Sequence, residues 1–224
     1  MISVIVPTRN EEELLPRCLE SFLSEKEELE LIVVDGNSSD RSIEIAFGYT
    51  DQVIALKNSD LAAQLNAGAA IAKGDILLFL HADSMLVPGA IARLKKISTE
   101  VVGGAFNMHL DSSRFFYHLL SLGGNLYCRF TGTYFGDRGI FVRSSIFKKI
   151  GGFSPLPIMA DVEFSRRLKR YGKTVLLEGP VISSSRKFDR EGALHTLYLI
   201  IYALVAYRLG VSPECIKEKY YWQS

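Results

Sequence analysis

Short apolar runs alternate with stretches whose apolar residues return every three or four positions. Residues 2–6 form the first such run, the mark of a strand covered on both faces. Leu14, Leu15, Cys18, Leu19, Phe22 and Leu23 then recur at helical spacing, with Pro16 in the first turn. Residues 31–34 predict a second buried strand ending on Asp35, 39–47 a helix, and 53–56 a third strand. An alanine-rich helix over 61–72 stops at Gly74, and 76–80 is a fourth strand ending on His81-Ala82-Asp83. Strands alternating with helices predict a parallel sheet with right-handed crossovers.

The second half is less regular. The pattern predicts a helix over 88–98 and a long strand over 101–110. An aromatic-rich segment follows over 115–135, broken by Gly123-Gly124. A short strand over 140–142, helices over 144–150 and 161–171, a strand over 175–177 and a last long helix over 194–209 complete the expectation. No repeat or linker-like stretch appears. Residues 1–224 therefore read as one α/β domain: a single, mainly parallel central sheet flanked by helices, with a helical C-terminal segment.

Composition narrows the function classes. Twenty-six Lys and Arg against 25 Asp and Glu give a net charge of +1. That balance argues against bulk nucleic-acid binding, which needs clustered cations. Cys18, Cys128 and Cys215 lie far apart with no C-x-x-C pair, so reduced thiols in a cytoplasmic protein are expected. The start of the chain has no basic leader. The longest apolar run, 197–207, falls well short of the about 20 residues a spanning helix needs. Its helix has three open readings: packing against the sheet, a homodimer contact, or a peripheral membrane contact. Phe115, Phe116, Tyr117, Tyr127, Phe130, Tyr134 and Phe135 are open between a stacking surface and core.

In parallel sheets, ligands bind beyond the carboxyl ends of the strands. Polar residues gather there: Thr8, Asn10, Asp35, Asp40, His81 and Asp83. No P-loop is present, and Pro7-Thr8-Arg9-Asn10-Glu11-Glu12 follows the first strand instead of a glycine fingerprint. Carboxylates at strand ends suit a base or ribose, or a Mg²⁺ or Mn²⁺ ion that in turn holds a diphosphate. Asp35 suits the first role and Asp83 the second. Asp35 and Asp40 also suit simple helix capping.

Four segments in register resemble family 2 glycosyltransferases. They are Val4-Ile5-Val6-Pro7-Thr8-Arg9-Asn10-Glu11, Val33-Val34-Asp35-Gly36-Asn37-Ser38-Ser39-Asp40, Gly74-Asp75 with Phe79-Leu80-His81-Ala82-Asp83, and residues 157–167 around Asp161. The wording of Gly136-Asp137-Arg138-Gly139-Ile140-Phe141-Val142-Arg143 is similar to a small bacterial subgroup labelled radical-SAM/selenodomain-associated or arsenosugar-biosynthesis transferases.

The resemblance implies the GT-A (nucleotide-diphospho-sugar transferase) fold, with a nucleotide-sugar-binding half over 1–110 and an acceptor and catalytic-base half over 111–224. It implies inverting transfer from a nucleotide-diphosphate sugar, UDP-linked in the first instance, to an unknown acceptor hydroxyl. Asp161 would be the general base. Pro7, Thr8, Glu11, Asp35, Asn66 and Asp83 would line the donor, with Arg186 and Lys187 adding positive charge. Asp83 with His81 would hold a divalent cation, Mn²⁺ or Mg²⁺. Asp137 and Tyr134 would meet the acceptor.

Four departures from the wider family stand out. Gly36 replaces a second Asp, His81 the first Asp of D-x-D, Ala160 a Glu before the base, and Leu61 an Arg near the diphosphate. Two alternatives stay open: a nucleotidyltransferase acting on sugar phosphates, and a nucleotide-binding module whose catalysis has decayed. The first usually carries a Gly- and Arg/Lys-rich loop after strand one, which Thr8-Arg9-Asn10-Glu11 is not.

Overall fold

The structure, a computed structural model, describes residues 1–22, 29–57 and 59–221. Eight strands form one sheet: β1 (Ile2–Thr8), β2 (Leu29–Asp35), β3 (Val53–Ala55), β4 (Ile76–Phe79), β5 (Ser84–Leu86), β6 (Val101–Leu110), β7 (Ile140–Arg143) and β8 (Lys173–Ser183). Their order is β3-β2-β1-β4-β7-β6-β8-β5. Strands β1 to β4 pair in parallel, while β7 runs antiparallel to both β4 and β6.

Ten helices flank the sheet in the described residues: α1 (Leu15–Glu20), α2 (Ser42–Phe47), α3 (Leu61–Ile71), α4 (Ala90–Lys95), α5 (Phe115–Thr131), α6 (Ser144–Ile150), α7 (Ala160–Leu168), α8 (Arg186–Glu191), α9 (Ala193–Arg208) and α10 (Pro213–Tyr220). Successive residues of β1 point to opposite faces. Val4 and Val6 join a core with Leu15, Cys18, Leu19, Ile91 and Phe106. Ile5 joins another with Leu65, Phe79, Phe147, Phe153 and Phe164. Both faces are covered, which is why all seven residues of β1 are buried.

Register places the polar strand ends together. Thr8 pairs with Asp35 across β1 and β2, and Ile5 with Phe79 across β1 and β4. Phe79 in turn pairs with Ile140, so the segment after β4 meets the one before β7.

Several sequence expectations change. The α5 helix runs unbroken through Gly123-Gly124. A side chain at Gly124 would collide with the Arg138 guanidinium, so this glycine admits a close neighbour and ends nothing. Strand β8 continues past 177 to Ser183. It absorbs Gly179-Pro180 at an irregularity, where Phe106 and Met108 face Leu177 and Val181. Helix α2 starts at Ser42, not 39, because Asn37 takes the left-handed conformation (φ 70°) in the loop before it. Strand β5 and helices α8 and α10 were not expected. Leu23, expected on α1, lies outside the described residues.

Candidate active site

The loops after β1 and β2 are stitched side by side. Asn10 has φ 55°, and its Oδ1 accepts from the Ser39 amide at 2.8 Å. The Glu11 amide donates to Ser42 Oγ at 2.8 Å and the Glu12 amide to Asp40 Oδ2 at 3.0 Å. Asp40 also accepts from the Ser42 amide at 3.0 Å, capping the start of α2. Asp40 is therefore committed to the scaffold.

This scaffold presents the donor-side candidates. Pro7 is buried near the end of β1. Thr8, next to it, carries a buried hydroxyl with no hydrogen-bond partner. Buried polar atoms are rarely left unpaired, so Thr8 Oγ1 fits a ligand contact. Asp35 is buried and accepts from the Asn37 and Ser38 amides at 3.0 and 2.9 Å. A carboxylate has about four acceptor positions, so Asp35 retains capacity beyond its own turn. A side chain at Gly36 would run into the side-chain amide of Gln64 on α3, which would have to move aside for the Asp common in the family. Gln64, 5% exposed, takes that space and is a residue the sequence reading missed.

Asp83 follows β4. Its Oδ1 accepts from Ser84 Oγ at 3.2 Å, and it shares its surroundings with Glu11 and Arg186. Arg186 spans to Glu11, Nη2 lying 2.8 and 2.9 Å from the two carboxylate oxygens. Burial pushes the Glu11 carboxyl up, with Arg186 opposing and the charges of Asp83 and Asp40 adding to the rise. Cys18 lies beneath, its thiol facing the His81 carbonyl at 3.5 Å. Burial, reinforced by the charge of Asp83, holds that thiol far above the ordinary range, so it is no nucleophile.

Asp161 stands on the first turn of α7. Met159, at φ 68°, makes the sharp entry into that helix. Asp161 Oδ2 accepts from the Gly136 amide and Oδ1 from the Val162 amide, both at 2.8 Å. His81 lies on the same side. The position a Cβ would take at Gly136 is 2.7 Å from His81 Nε2 and 3.8 Å from Asp161 Oδ2. Burial is the main cause that raises the Asp161 carboxyl, and the charge of Asp137 adds to it. The two amides and His81 pull the other way. Asp137, in a single 3₁₀ turn (Gly136–Arg138), has a buried Oδ1 without a partner.

Three expected site residues sit elsewhere. Asn66 spends its amide on Phe153, donating to that carbonyl at 2.8 Å and accepting from that amide at 2.9 Å, so it pins a loop. Tyr134 is 2% exposed and packs in the core with Cys128 and Phe164, because its main chain is tied to Ser165 at 3.0 Å. It cannot meet an acceptor from there. Lys187 leans onto Tyr220, Nζ 3.9 Å from the ring centre, with Glu191 at 4.0 Å. Burial lowers its pKa. It belongs to the C-terminal packing, whereas Arg186, one residue away, reaches the carboxylates.

Across residues 3–152 the chain matches the model for Glycosyl transferase family 2. The chain belongs to glycosyl transferase family 2. It is 27% identical over 217 residues to the glycosyltransferase GlyG of Streptococcus pneumoniae serotype 4, covering 92% of this chain and 67% of that protein. Among solved structures, the 1–349 fragment of S. aureus TarS superposes with a TM-score of 0.67 at 19% identity, over 89% of this chain and 65% of that one. Glucosyl-3-phosphoglycerate synthase from Mycobacterium tuberculosis, solved with Mg²⁺ and UDP, gives 0.64 at 19% identity, over 94% and 80%.

The fold of this family 2 chain is GT-A, and it is an enzyme of the glycosyltransferase class. Among its described residues no group of three or more His, Cys, Asp or Glu converges as a metal cage. Asp83 alone fits the way Mg²⁺ and Mn²⁺ are held at phosphates, by one or two carboxylates with the substrate supplying the rest. His81, two residues before Asp83, has its Nε2 beside Gly136.

Proposed function

We propose that this protein transfers a sugar from a UDP-linked donor to an acceptor hydroxyl with inversion, Asp161 acting as general base. The observation that carries this reading is the Asp161 carboxylate, fixed by the Gly136 amide beside His81. Through His81, which follows β4, it adjoins the segment that carries Asp83. Two amide donors orient the carboxylate, while its partial burial makes it a stronger base than a surface aspartate. Proton removal by a positioned carboxylate typically supplies about 10²–10⁴-fold in rate.

The remaining roles follow from position. Thr8 Oγ1 and Asp35 would receive the nucleoside, and Arg186 and Asp83 would face the diphosphate. A divalent cation held at Asp83 would supply neutralising charge to the departing diphosphate. Asp137, with its unpaired buried oxygen, would orient the acceptor. The wording of residues 136–143 supports the bacterial subgroup named above. UDP released from a panel of UDP-sugars, with and without Mn²⁺, tests the reading. Release that needs both metal and Asp83 supports it. Absence of UDP release from every donor, with UDP still bound by calorimetry, would replace it with a binding module. Pyrophosphate-dependent UTP formation would replace it with a nucleotidyltransferase.

A further inference from the structure

Arg138 is a buried cation without a counter-charge. It is 2% exposed and stands in the 3₁₀ turn Gly136–Arg138, one residue from Asp137. Among the described residues no carboxylate pairs with it. Its Nη1 donates to Asn125 Oδ1 on α5, and its Nε has no partner. The Phe135 ring covers one side, its centre 5.7 Å from Cζ, and Gly124 of α5 leaves the space that the guanidinium fills. Taking a charge out of water without pairing it is costly, and apolar replacement of buried ionic groups is often neutral or stabilising. The fold alone therefore gives no reason for an arginine here, and a buried unsatisfied group calls for one.

The turn supplies part of the setting of Asp161. The Gly136 amide donates to Asp161 Oδ2 at 2.8 Å. On the entry side the chain is tied to α7, because the Tyr134 amide donates to Ser165 Oγ at 3.0 Å. The Arg138 amide then closes the turn on the Phe135 carbonyl at 3.2 Å. From the side of α5, the Arg138 side chain braces it. Asn125, on which it rests, is itself fixed at the irregularity of β6. Its Oδ1 accepts from the Met108 amide at 2.9 Å, and its Nδ2 donates to the Met108 carbonyl at 3.1 Å. Contacts thus run without a gap from β6 through Asn125 and Arg138 to the Gly136 amide and Asp161. A catalytic carboxylate works only when such surroundings hold it in place.

We infer that Arg138 is a positioning residue for Asp161: braced on Asn125, it holds the turn so that the Gly136 amide stays on the carboxylate. This role rests on Asp161 being the general base, so one arm of its test uses no substrate. Three variants of the full chain separate the brace from mere filling of space. Arg138→Met keeps a long side chain without charge or fork and should melt no lower than wild type. Arg138→Lys keeps the charge without the fork. Gly124→Ala keeps the arginine, places a methyl against its guanidinium and favours the helix. By nuclear magnetic resonance of the isotope-labelled protein, the Gly136 amide should shift in all three, and its exchange with solvent should quicken at least about tenfold. The Val162 amide, which donates to the other Asp161 oxygen from α7 itself, should keep its place. For the UDP-sugar that wild type hydrolyses fastest, kcat should fall at least about tenfold with KM unchanged. An unmoved Gly136 amide or a wild-type kcat in Arg138→Met and Arg138→Lys overturns the role. So does a shift shared by the Val162 amide, since α7 would then have moved as a whole. Turnover that survives in Asp161→Asn would remove the base instead, and the Gly136 amide would still report the brace.

Discussion

Arg186 and Glu11 are 175 positions apart, yet the guanidinium spans both carboxylate oxygens of Glu11 at 2.8 and 2.9 Å. The pair closes the donor-side cluster by joining the first loop of the chain to the segment after β8. It also neutralises a carboxylate that would otherwise repel a diphosphate beside Asp83.

Removing the arginine therefore has two separable effects. Arg186→Ala strands a partly buried Glu11, costing about 1 kcal/mol for a pair this accessible. Arg186→Ala with Glu11→Gln should restore the melting temperature. UDP affinity, measured by calorimetry, should stay at least about tenfold below wild type in both variants if the cation itself meets the diphosphate. Recovered affinity in the double variant would reduce Arg186 to a structural role.

The raised carboxyl of Asp161 makes a prediction about pH. The folded protein holds this proton more tightly than the unfolded chain, whose aspartate titrates near about 3.9. The associated stabilisation is complete below that value and disappears as pH rises through the folded-state value; above it, the buried charge is a cost. Asp161→Asn should then abolish transfer yet melt higher than wild type at pH 8, the gain vanishing in acid. The acid limb of kcat/KM should lie above the ordinary carboxylate range. His81→Gln should move it further up, since the imidazole lowers this carboxyl. An unchanged limb would remove His81 from the base's surroundings.

Gly136 offers a steric test. It is not among the positive-φ glycines, so alanine is allowed by the backbone. The added methyl would meet His81 Nε2 at 2.7 Å, with Asp161 Oδ2 at 3.8 Å. Gly136→Ala should cut kcat by about 10²-fold, as small misplacements of catalytic groups do. UDP binding and the melting curve should hardly change. Full activity in the variant would show that the space between His81 and Asp161 is not used.

Leu61 stands where an arginine is expected by resemblance, and it is 43% exposed on the first turn of α3. Arginine fits there without burial. Leu61→Arg should raise donor affinity several-fold, through a charge-assisted contact worth about 1 kcal/mol or more. The gain should shrink as salt is added. A neutral or weakened affinity at low salt would place the diphosphate away from α3.

The first half of the fold was readable because both faces of β1, β2 and β4 are buried. Their runs are therefore mainly apolar, with Ser3 of β1 donating to Glu30 of β2, and lead into the polar residues that form the cleft. Asp161 is singled out by its motif, and its carboxylate accepts from the Gly136 and Val162 amides. What could not be read depends on contacts across the chain. Gly124 sits inside a helix because Arg138 needs its space, and Gly36 faces Gln64; neither relation leaves a local signature. Tyr134 and Phe130 belong to one aromatic run, yet one is core and the other bare, since only helical phase and the Ser165 tie separate them. Arg186 was suggested as a source of positive charge, but its partner Glu11 was not.

The antiparallel seam between β4 and β7 brings the segment after Phe79 against the one before Ile140. Thr8, Asp35 and Asp83 thus come from the stretch before this seam, and Asp137 and Asp161 from the segments on either side of β7. Grafting residues 111–224 of another family 2 member onto 1–110 of this one would exchange Asp137 and Asp161 and, with them, the Arg186 that pairs with Glu11.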